Sequence, residues 1–301
     1  MVATFCDPAR VGAFAADPKA LTRGEPGTLA RLLIATTMFQ RLRDVLVLKI
    51  LRSLSTEQVR ELTELPALAA AAEQAPCPHG RSVEALRTSC DLTKQAGLGV
   101  CSAGAEHPCR LREHTVWLKR YGHFGKMPRS AALNLVEQGV SDLRELYERT
   151  VRESATPRAA SERLIQELSR AWRFSDKLAH MFLSMLANPD LHEQGKAPWQ
   201  QGLDWRYFIV IDSNVDLFLR ATGYPGPWTY AARRDFLEAL AERVELPAPL
   251  HSPNPRLVQQ ALFVFMGESN RKASGIDCAE QAPESCLSCR GELRMLCRLH
   301  D

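Results

Sequence analysis

The sequence predicts an all-α protein built from two mostly helical domains. Apolar residues recur at helical spacing along most of the 301 residues, whereas long alternating runs bounded by turn residues, which would predict strands, are absent. A chain of this length can form two moderate domains, each with its own core. We expect residues 28–204 to form a helical barrel domain, and residues 1–27 to join residues 205–301 in a second domain.

The composition is that of a globular protein, with 45% hydrophobic and 24% charged residues. The net charge of +3 excludes a histone-like cationic chain, so any nucleic-acid surface must be a local patch. The apolar runs are too short to span a bilayer, and the first residues lack the basic and apolar stretches of a secretory signal. We therefore expect a cytoplasmic, nucleoid-associated monomer with no membrane partner.

The first half of the chain divides into a helical part and an insertion. Residues 28–54 are dense in apolar residues and predict two buried helices that break near 39–43. Ser55, Thr56, Glu57 and Gln58 are typical of a further helix start. Residues from about 66 to 128 carry six glycines and four cysteines, a composition that predicts an inserted segment.

Helical patterns resume after the insertion. A loop at 188–202 and a short run at 205–211 interrupt them, and the run leads into Asp212. The predicted helices are 130–138, 140–153, a helix from near Pro157 to about 172, 176–187, 213–221, 229–244 and 255–267.

The cysteines fall into two sets of four, with Cys6 standing apart. Because a reducing cytoplasm keeps thiols from pairing, two metal sites explain the two sets better than disulfides do. The C-terminal set, C-x7-C-x2-C-x7-C, predicts a 4Fe–4S loop, with zinc as the alternative. The internal set, C-x12-C-x10-C-x7-C, predicts a second metal site, zinc or iron–sulfur, or else four small buried hydrophobes. The C-terminal ligands are Cys278, Cys286, Cys289 and Cys297, and the internal set is Cys77, Cys90, Cys101 and Cys109.

The end of the insertion is basic. Residues 110–129 hold six Lys or Arg against one acidic residue, Glu113, and three aromatic residues interleave with these charges. Basic residues mixed with aromatics suit a phosphate backbone and exposed bases, and the alternative is a solvated helix face. Within this stretch, Lys126 and Arg129 are the predicted DNA contacts.

Three stretches together resemble the helix-hairpin-helix DNA glycosylases, the superfamily that contains endonuclease III. LLIATTMFQRLRDVLVLKIL at 32–51 is similar to that family's buried helix, Gln-containing connection and next helix. FSDKLAHMFLSML at 174–186, followed by VIDSNVDLFLRATGY at 210–224, resembles its hairpin with a lysine and then its aspartate at the start of the next helix. The tail resembles its iron–sulfur loop. The three stretches occur in the family's order and cover about half the chain.

The resemblance implies a two-domain glycosylase fold with a cysteine-containing insertion and a C-terminal 4Fe–4S loop, acting on double-stranded DNA that bears a damaged or modified base. Lys177 would attack the sugar and Asp212 would assist, with AP lyase activity through a Schiff base. Gln40 would reach into the duplex and Ser175 would contact the DNA. The iron–sulfur loop would be mainly structural.

Local physical chemistry agrees with the two catalytic positions. A lysine in the first helical turn meets the positive end of the helix dipole, which disfavours its charged form and leaves more neutral amine for attack. An aspartate at a helix N-cap is held ionised by backbone N–H groups and can stabilise an oxocarbenium ion. An ordinary solvated lysine and a structural cap are the alternatives to these two roles.

Two features depart from the family's pattern. Residues 173–176 replace the usual Gly-x-Gly turn, and Lys177 and Asp212 are farther apart along the chain than in endonuclease III relatives. The open alternatives are a monofunctional glycosylase in which Asp212 activates water, and a non-catalytic iron–sulfur DNA-binding protein. Four aromatics between the lysine and the aspartate would stack on a flipped base or belong to the core: Trp199, Trp205, Tyr207 and Phe208.

Overall fold

A computed structural model describes residues 2–40, 42–95, 97–103, 109–193 and 195–267. The protein is mostly helical, as predicted, and its described part contains one two-stranded sheet. The chain divides into two compact units, Met1–Trp205 and Arg206–Asp301. The N-terminal segment therefore lies in the first unit, whereas the sequence predicted it as part of the second domain.

The first unit contains thirteen α-helices among its described residues. They are α1 Val2–Cys6, α2 Pro8–Val11, α3 Pro18–Thr22, α4 Pro26–Thr37, α5 Asp44–Arg52, α6 Thr56–Thr63, α7 Leu65–Glu73, α8 Val83–Thr88, α9 Arg110–Trp117, α10 Gly122–Glu137, α11 Leu143–Glu153, α12 Pro157–Ser169 and α13 Asp176–Ala187. Short 3-10 turns occur at Gly12–Phe14, Pro78–Gly80, Pro189–Leu191 and Trp205–Tyr207.

Helix α4 is the central helix of this unit. It begins with Pro26 in its first turn, and its apolar residues are buried against α6, α10, α11 and α13. The predicted break after it is confirmed, since α5 begins at Asp44. The predicted helix start at Ser55 is confirmed too, because Ser55 and Gln58 form a reciprocal capping box.

The insertion is more regular than the sequence predicted. It contains helices α7, α8 and α9 and an antiparallel hairpin of β1, Thr93–Gln95, and β2, Leu98–Val100. Helix α10 starts at Gly122, eight residues before the predicted start, and runs through Pro128. Two glycines allow its close packing, because a Cβ at Gly122 would collide with the Leu92 backbone and one at Gly125 with Thr115.

The described part of the second unit holds three helices, α14 Ser213–Ala221, α15 Tyr230–Ala241 and α16 Pro255–Phe265, at nearly the predicted positions. Helix α16 packs against both of the others. The core of this unit combines residues of the run before α14 with residues of α14 and α15, namely Ile209, Ile211, Val215, Leu219 and Leu237.

Among the described residues, the structure has no helix that is both long enough and apolar enough to cross a membrane.

Candidate functional site

Helices α12 and α13 pack against each other and are joined by a six-residue hairpin. Within it, Arg173 adopts a left-handed conformation with φ of 64°, which glycine adopts more readily than any other residue. Phe174 is buried and anchors the turn, and the N–H of Trp172 donates a 2.7 Å hydrogen bond to Ser130 Oγ of α10. The described chain thus contains two packed helices joined by a short turn that is held by contacts at Trp172 and Phe174.

The hairpin places Lys177 in the first turn of α13, as the sequence predicted. Lys177 is half-buried, while Ser175 and Asp176 before it are exposed. Ser175 occupies the N-cap position, but its side chain makes no capping hydrogen bond. The Ser175 carbonyl still accepts the N–H groups of Leu178 and Ala179, so the hydroxyl is left on the exposed turn.

Asp212 is the N-cap of α14 in the second unit. Its Oδ1 accepts the N–H of Asn214 at 2.9 Å and the N–H of Val215 at 3.0 Å. Two backbone donors and the positive end of the helix dipole stabilise a negative charge on this carboxylate. The predicted cap geometry of Asp212 is therefore confirmed.

A tyrosine and a buried arginine support Asp212. The Tyr230 hydroxyl donates to the carbonyl of Ile209 at 2.8 Å and accepts the N–H of Ile211 at 3.2 Å, which fixes the buried run just before Asp212. Arg256 is fully buried, and burial lowers its pKa to about 10, while the Asp212 carboxylate acts in the opposite direction. Arg256 therefore remains a cation at neutral pH within electrostatic reach of Asp212.

Neither supporting residue could have been found from the sequence pattern. Tyr230 follows a helix cap, and Arg256 follows a helix-starting proline, positions that many residue types occupy. The role of Tyr230 comes from a hydrogen bond across 19 residues of sequence, and that of Arg256 from an electrostatic interaction across 44, neither of which local patterns encode.

Gln40 lies directly after the turn that ends α4, as predicted, and is half-buried. Its side-chain amide donates to the carbonyl of Thr37 at 2.8 Å and contacts the sulfur of Met127 at 3.7 Å. The guanidinium of Arg120 donates to the carbonyls of Met38 and Gln40. Met127 of α10 and Arg120, which precedes α10, therefore hold the loop that carries Gln40.

Lys126 and Arg129 do not form the predicted DNA surface, because α10 buries both of them to less than 5% exposure. Lys126 Nζ donates to the carbonyls of Leu86 at 3.1 Å and Cys90 at 2.7 Å and lies 3.7 Å from the ring centroid of Trp172. Burial lowers the pKa of both side chains. Neither is available to a DNA phosphate in this conformation, since protein atoms already cover them.

Three of the four aromatics that lie between Lys177 and Asp212 in the sequence belong to the core. Trp199, Tyr207 and Phe208 are buried, whereas Trp205 is half-buried. In the first unit, Trp199 stacks on Tyr147 with ring centroids 4.5 Å apart and an interplanar angle of 1°. The alternative that these rings are structural is therefore supported for Trp199, Tyr207 and Phe208.

The four internal cysteines line one cavity of about 210 Å³ in the first unit, which we call the cysteine-lined cavity. Each lies at the end of an element: Cys77 precedes a 3-10 turn, Cys90 follows α8, Cys101 follows β2, and Cys109 is the N-cap of α9. All four are half-buried free thiols. The sequence grouped these cysteines, and the fold brings them to one place.

The cavity carries positive charge beside its thiols. Arg112 donates a hydrogen bond of 3.0 Å to Cys101 Sγ, and Arg129 lines the cavity with a buried Nε that has no partner among the described residues. Burial raises the pKa of the Cys90 thiol, and Cys109 and Cys77 act in the same direction. Within the described part of the chain, no group of three or more His, Cys, Asp or Glu side chains is arranged to hold a single metal ion.

The predicted C-terminal iron–sulfur ligands lie outside the described residues, which end at 267. Lys177 belongs to the first unit and Asp212 to the second. Comparison of the chain with protein-family models, with curated proteins and with solved structures gives no match.

Proposed function

We propose that the protein is a DNA glycosylase that flips a damaged or modified base out of duplex DNA, excises it, and cleaves the resulting abasic strand through a lysine Schiff base. The helix–hairpin–helix of α12 and α13, with Lys177 in the first turn of its second helix, carries the proposal. The order of this element, Asp212 and the cysteine-rich tail along the chain is the order of the family that the sequence resembles.

The hairpin suits a phosphate contact. Arg173 reaches the left-handed conformation that a glycine-containing turn would otherwise supply, and Arg173 and Ser175 are both exposed. A guanidinium and a hydroxyl on an exposed turn can both donate to a phosphate oxygen, which would orient the duplex without reading its sequence. This arrangement replaces the backbone contact of a Gly-x-Gly turn with side-chain contacts.

Asp212 supplies the negative charge that bond cleavage needs. As the C1′–N bond breaks, positive charge develops on the sugar, and an ionised carboxylate held by two N–H groups offsets that charge. Because Asp212 is the N-cap of a helix, its position is set by the backbone before substrate binds. The proposal requires that Lys177 and Asp212 act on the same deoxyribose.

The reaction proceeds in two stages. The unprotonated Nζ of Lys177 bonds to C1′ while the base leaves with the electron pair of the C1′–N bond and takes up a proton. Loss of the amine proton and opening of the sugar ring give a Schiff base between Nζ and C1′. Removal of a proton from C2′ then expels the 3′ phosphate, which nicks the strand, and water releases the lysine.

Other parts of the chain complete the proposal. Gln40 would contact the base opposite the flipped nucleotide, from a loop that Arg120 holds to the rest of the unit. A C-terminal 4Fe–4S cluster on Cys278, Cys286, Cys289 and Cys297 would stabilise the tail, and we assign it no chemical step. Lys126 and Arg129 have no part in DNA binding because they are buried.

The test is borohydride trapping with a panel of duplex oligonucleotides, each bearing one modified base. The wild-type protein should form a covalent adduct with at least one duplex, and Lys177→Ala should lose it. Lys196→Ala, at an exposed lysine of the same unit, is the matched control and should keep the adduct. Base release by Asp212→Asn should fall by a factor of 100 or more, on the order of the loss when one transition-state charge contact is removed.

The outcomes separate the competing functions. Base release without a trapped adduct would identify a monofunctional glycosylase in which Asp212 activates water. Duplex binding that is unchanged in Asp212→Asn, with no base released from any duplex, would overturn the proposal in favour of a non-catalytic DNA-binding protein.

A further inference from the structure

The proposed function does not use the cysteine-lined cavity, and three observations there are independent of it. Four thiols from four separate element ends surround one space of about 210 Å³. The buried side chain of Arg129 lines the same space, and its Nε has no hydrogen-bond partner among the described residues. A second guanidinium, that of Arg112, donates to one of the four sulfurs.

We propose that the cysteine-lined cavity holds an iron–sulfur cluster of the 4Fe–4S class, with Cys77, Cys90, Cys101 and Cys109 as its four ligands. This site is separate from the C-terminal one. It does not rest on the glycosylase proposal.

The space and the spacing of the thiols favour a polynuclear cluster over a single zinc ion. Four thiolates on one zinc lie about 2.3 Å from the metal and so within about 4 Å of one another. Within the described residues no such single-ion arrangement is present, and the four thiols instead surround a volume larger than the roughly 150 Å³ that holds a benzene in an apolar protein core. A core of four irons and four sulfides needs a space of this kind between its ligands.

The charges around the cavity suit an anion. A 4Fe–4S core with four thiolates carries net negative charge, whereas four protonated thiols are neutral. Burial lowers the pKa of Arg129 although the charge of Glu61 acts in the opposite direction, so the buried guanidinium is only partly compensated, and an anionic cluster would reduce the remaining cost. Lys126 does not line the cavity, but it donates to the Cys90 carbonyl, and its charge opposes the rise that burial causes in the pKa of the Cys90 thiol. The wall also carries one carboxylate, that of Asp91, which accepts the N–H of Ser102.

Most of the lining surface of the cavity is apolar, which limits the access of water to such a cluster. Cys90, Cys101 and Cys109 pack against a buried cluster that includes Leu86 and Leu111. Hydrophobic surroundings and hydrogen bonds to the sulfurs set the stability and reduction potential of iron–sulfur sites. The hydrogen bond from Arg112 to Cys101 is one contact of that kind.

The cavity is also joined to the helix–hairpin–helix. Lys126 contacts the Cys90 carbonyl on one side and the ring of Trp172 on the other, and Trp172 immediately precedes Arg173 of the hairpin. Assembly of the cluster would therefore fix the part of α10 against which the hairpin packs.

The experiment isolates this site by removing the other. Cys286→Ser/Cys289→Ser, in the full chain, abolishes the predicted C-terminal ligand set. The protein is purified anaerobically and reconstituted with ferrous iron and sulfide, and iron, acid-labile sulfide and zinc are counted per chain. We expect about four irons and four sulfides with visible charge-transfer absorption, and their loss when Cys90→Ser/Cys109→Ser is added. Cys6→Ser, at a free thiol outside the cavity, is the control and should lose none.

An independent readout comes from Arg129→Met in the same background. Removal of a cation beside the cluster destabilises the more negative reduced form, so the reduction potential should fall relative to the background protein. No iron in the Cys286→Ser/Cys289→Ser protein, or one zinc per chain in its place, would overturn the proposal. So would iron retained after Cys90→Ser/Cys109→Ser.

Discussion

Asp142 and Asp212 cap their helices in the same way, but only Asp212 interacts with a buried cation. Asp142 Oδ1 accepts the N–H groups of Arg144 and Glu145 at 2.8 and 2.9 Å, and Asp212 Oδ1 accepts two N–H groups at 2.9 and 3.0 Å. Both carboxylates are half-buried. The charge of Asp212 also acts on the fully buried guanidinium of Arg256. The same substitution at the two residues therefore separates the effect of the helix cap from the effect of the negative charge on stability.

We expect Asp212→Asn to destabilise the protein more than Asp142→Asn. Asparagine caps a helix as well as aspartate does, so Asp142→Asn should change the free energy of unfolding by about 0.5 kcal/mol or less. Asp212→Asn also removes the negative charge that compensates Arg256 and should cost about 1–3 kcal/mol. Urea denaturation followed by circular dichroism measures both.

A double variant checks the cause. In Arg256→Met/Asp212→Asn the buried cation is absent, so removal of the Asp212 charge should no longer matter. The loss of unfolding free energy in the double variant should therefore be smaller, by about 1 kcal/mol, than the sum of the losses in Arg256→Met and Asp212→Asn. Equal losses in Asp142→Asn and Asp212→Asn would show that Arg256 does not depend on the Asp212 charge.

We expect stability to fall on mild acidification because of His114. This side chain is fully buried, its Nε2 lies 3.0 Å from Glu61 Oε1, and burial lowers its pKa below the usual 6.5 in spite of Glu61. The unfolded chain therefore binds the proton better than the folded protein does. The stability that comes from keeping His114 neutral in the folded protein is fully present above pH 6.5. It is lost as the pH falls below 6.5, by up to about 1.4 kcal/mol per pH unit.

His114→Gln should flatten this dependence between pH 6.5 and 5, since glutamine can still donate to Glu61 but does not titrate. His192, whose pKa burial also lowers, contributes with the same sign in both proteins and cancels in the difference. Unfolding free energies at several pH values provide the measurement. Parallel curves for the two proteins would contradict the assignment.

We expect Arg173→Gly to stabilise the hairpin. Arg173 has a φ of 64°, a region that costs a residue with a Cβ about 1 kcal/mol or more relative to glycine, so the substitution should raise the free energy of unfolding by about 0.5–1 kcal/mol. Arg173→Val should destabilise, because a β-branched residue tolerates this region least. Thermal unfolding distinguishes the two, and DNA affinity should fall in both if Arg173 contacts a phosphate.

We expect Trp199→Ala to act on stability, since Trp199 is a core residue. Its ring stacks on Tyr147 and meets Phe182 edge-on at 6.2 Å, so truncation should cost about 3–5 kcal/mol. Trp228→Ala, at a ring that is 44% exposed, should cost about 1 kcal/mol or less. A folded, stable Trp199→Ala protein that has lost only base release would support the base-stacking role instead.

The helices that the sequence predicted best are those whose ends are marked locally. Ser55 and Asp212 each bind backbone N–H groups two or three residues ahead, so a short pattern contains the whole interaction. The position of Lys177 after the turn was predicted from the resemblance of residues 174–186 to a known family, and the internal cysteines were grouped by their order along the chain.

The features that the sequence did not reveal depend on distant contacts. Lys126 and Arg129 were predicted on a DNA-binding surface, but the fold buries them, and Lys126 binds carbonyls 36 and 40 residues away. The sequence also did not reveal that α10 runs through Pro128 or that Arg256 is buried, since both features depend on packing against distant segments. Side-chain charge favours an exposed position, and only packing between remote segments can reverse that preference.

The two close-packed glycines of α10 have an evolutionary consequence. Gly122 and Gly125 let α10 lie against Leu92 and Thr115, and these contacts fix the wall that carries Arg129 next to the four thiols. If the cluster proposal holds, a lineage that gave up the thiols would no longer gain from an arginine in that wall, whereas a Cβ at position 122 or 125 would still collide with Leu92 or Thr115. Among descendants of a common ancestor, the four thiols and Arg129 should then be inherited or lost together, and the two glycines should be kept in either case.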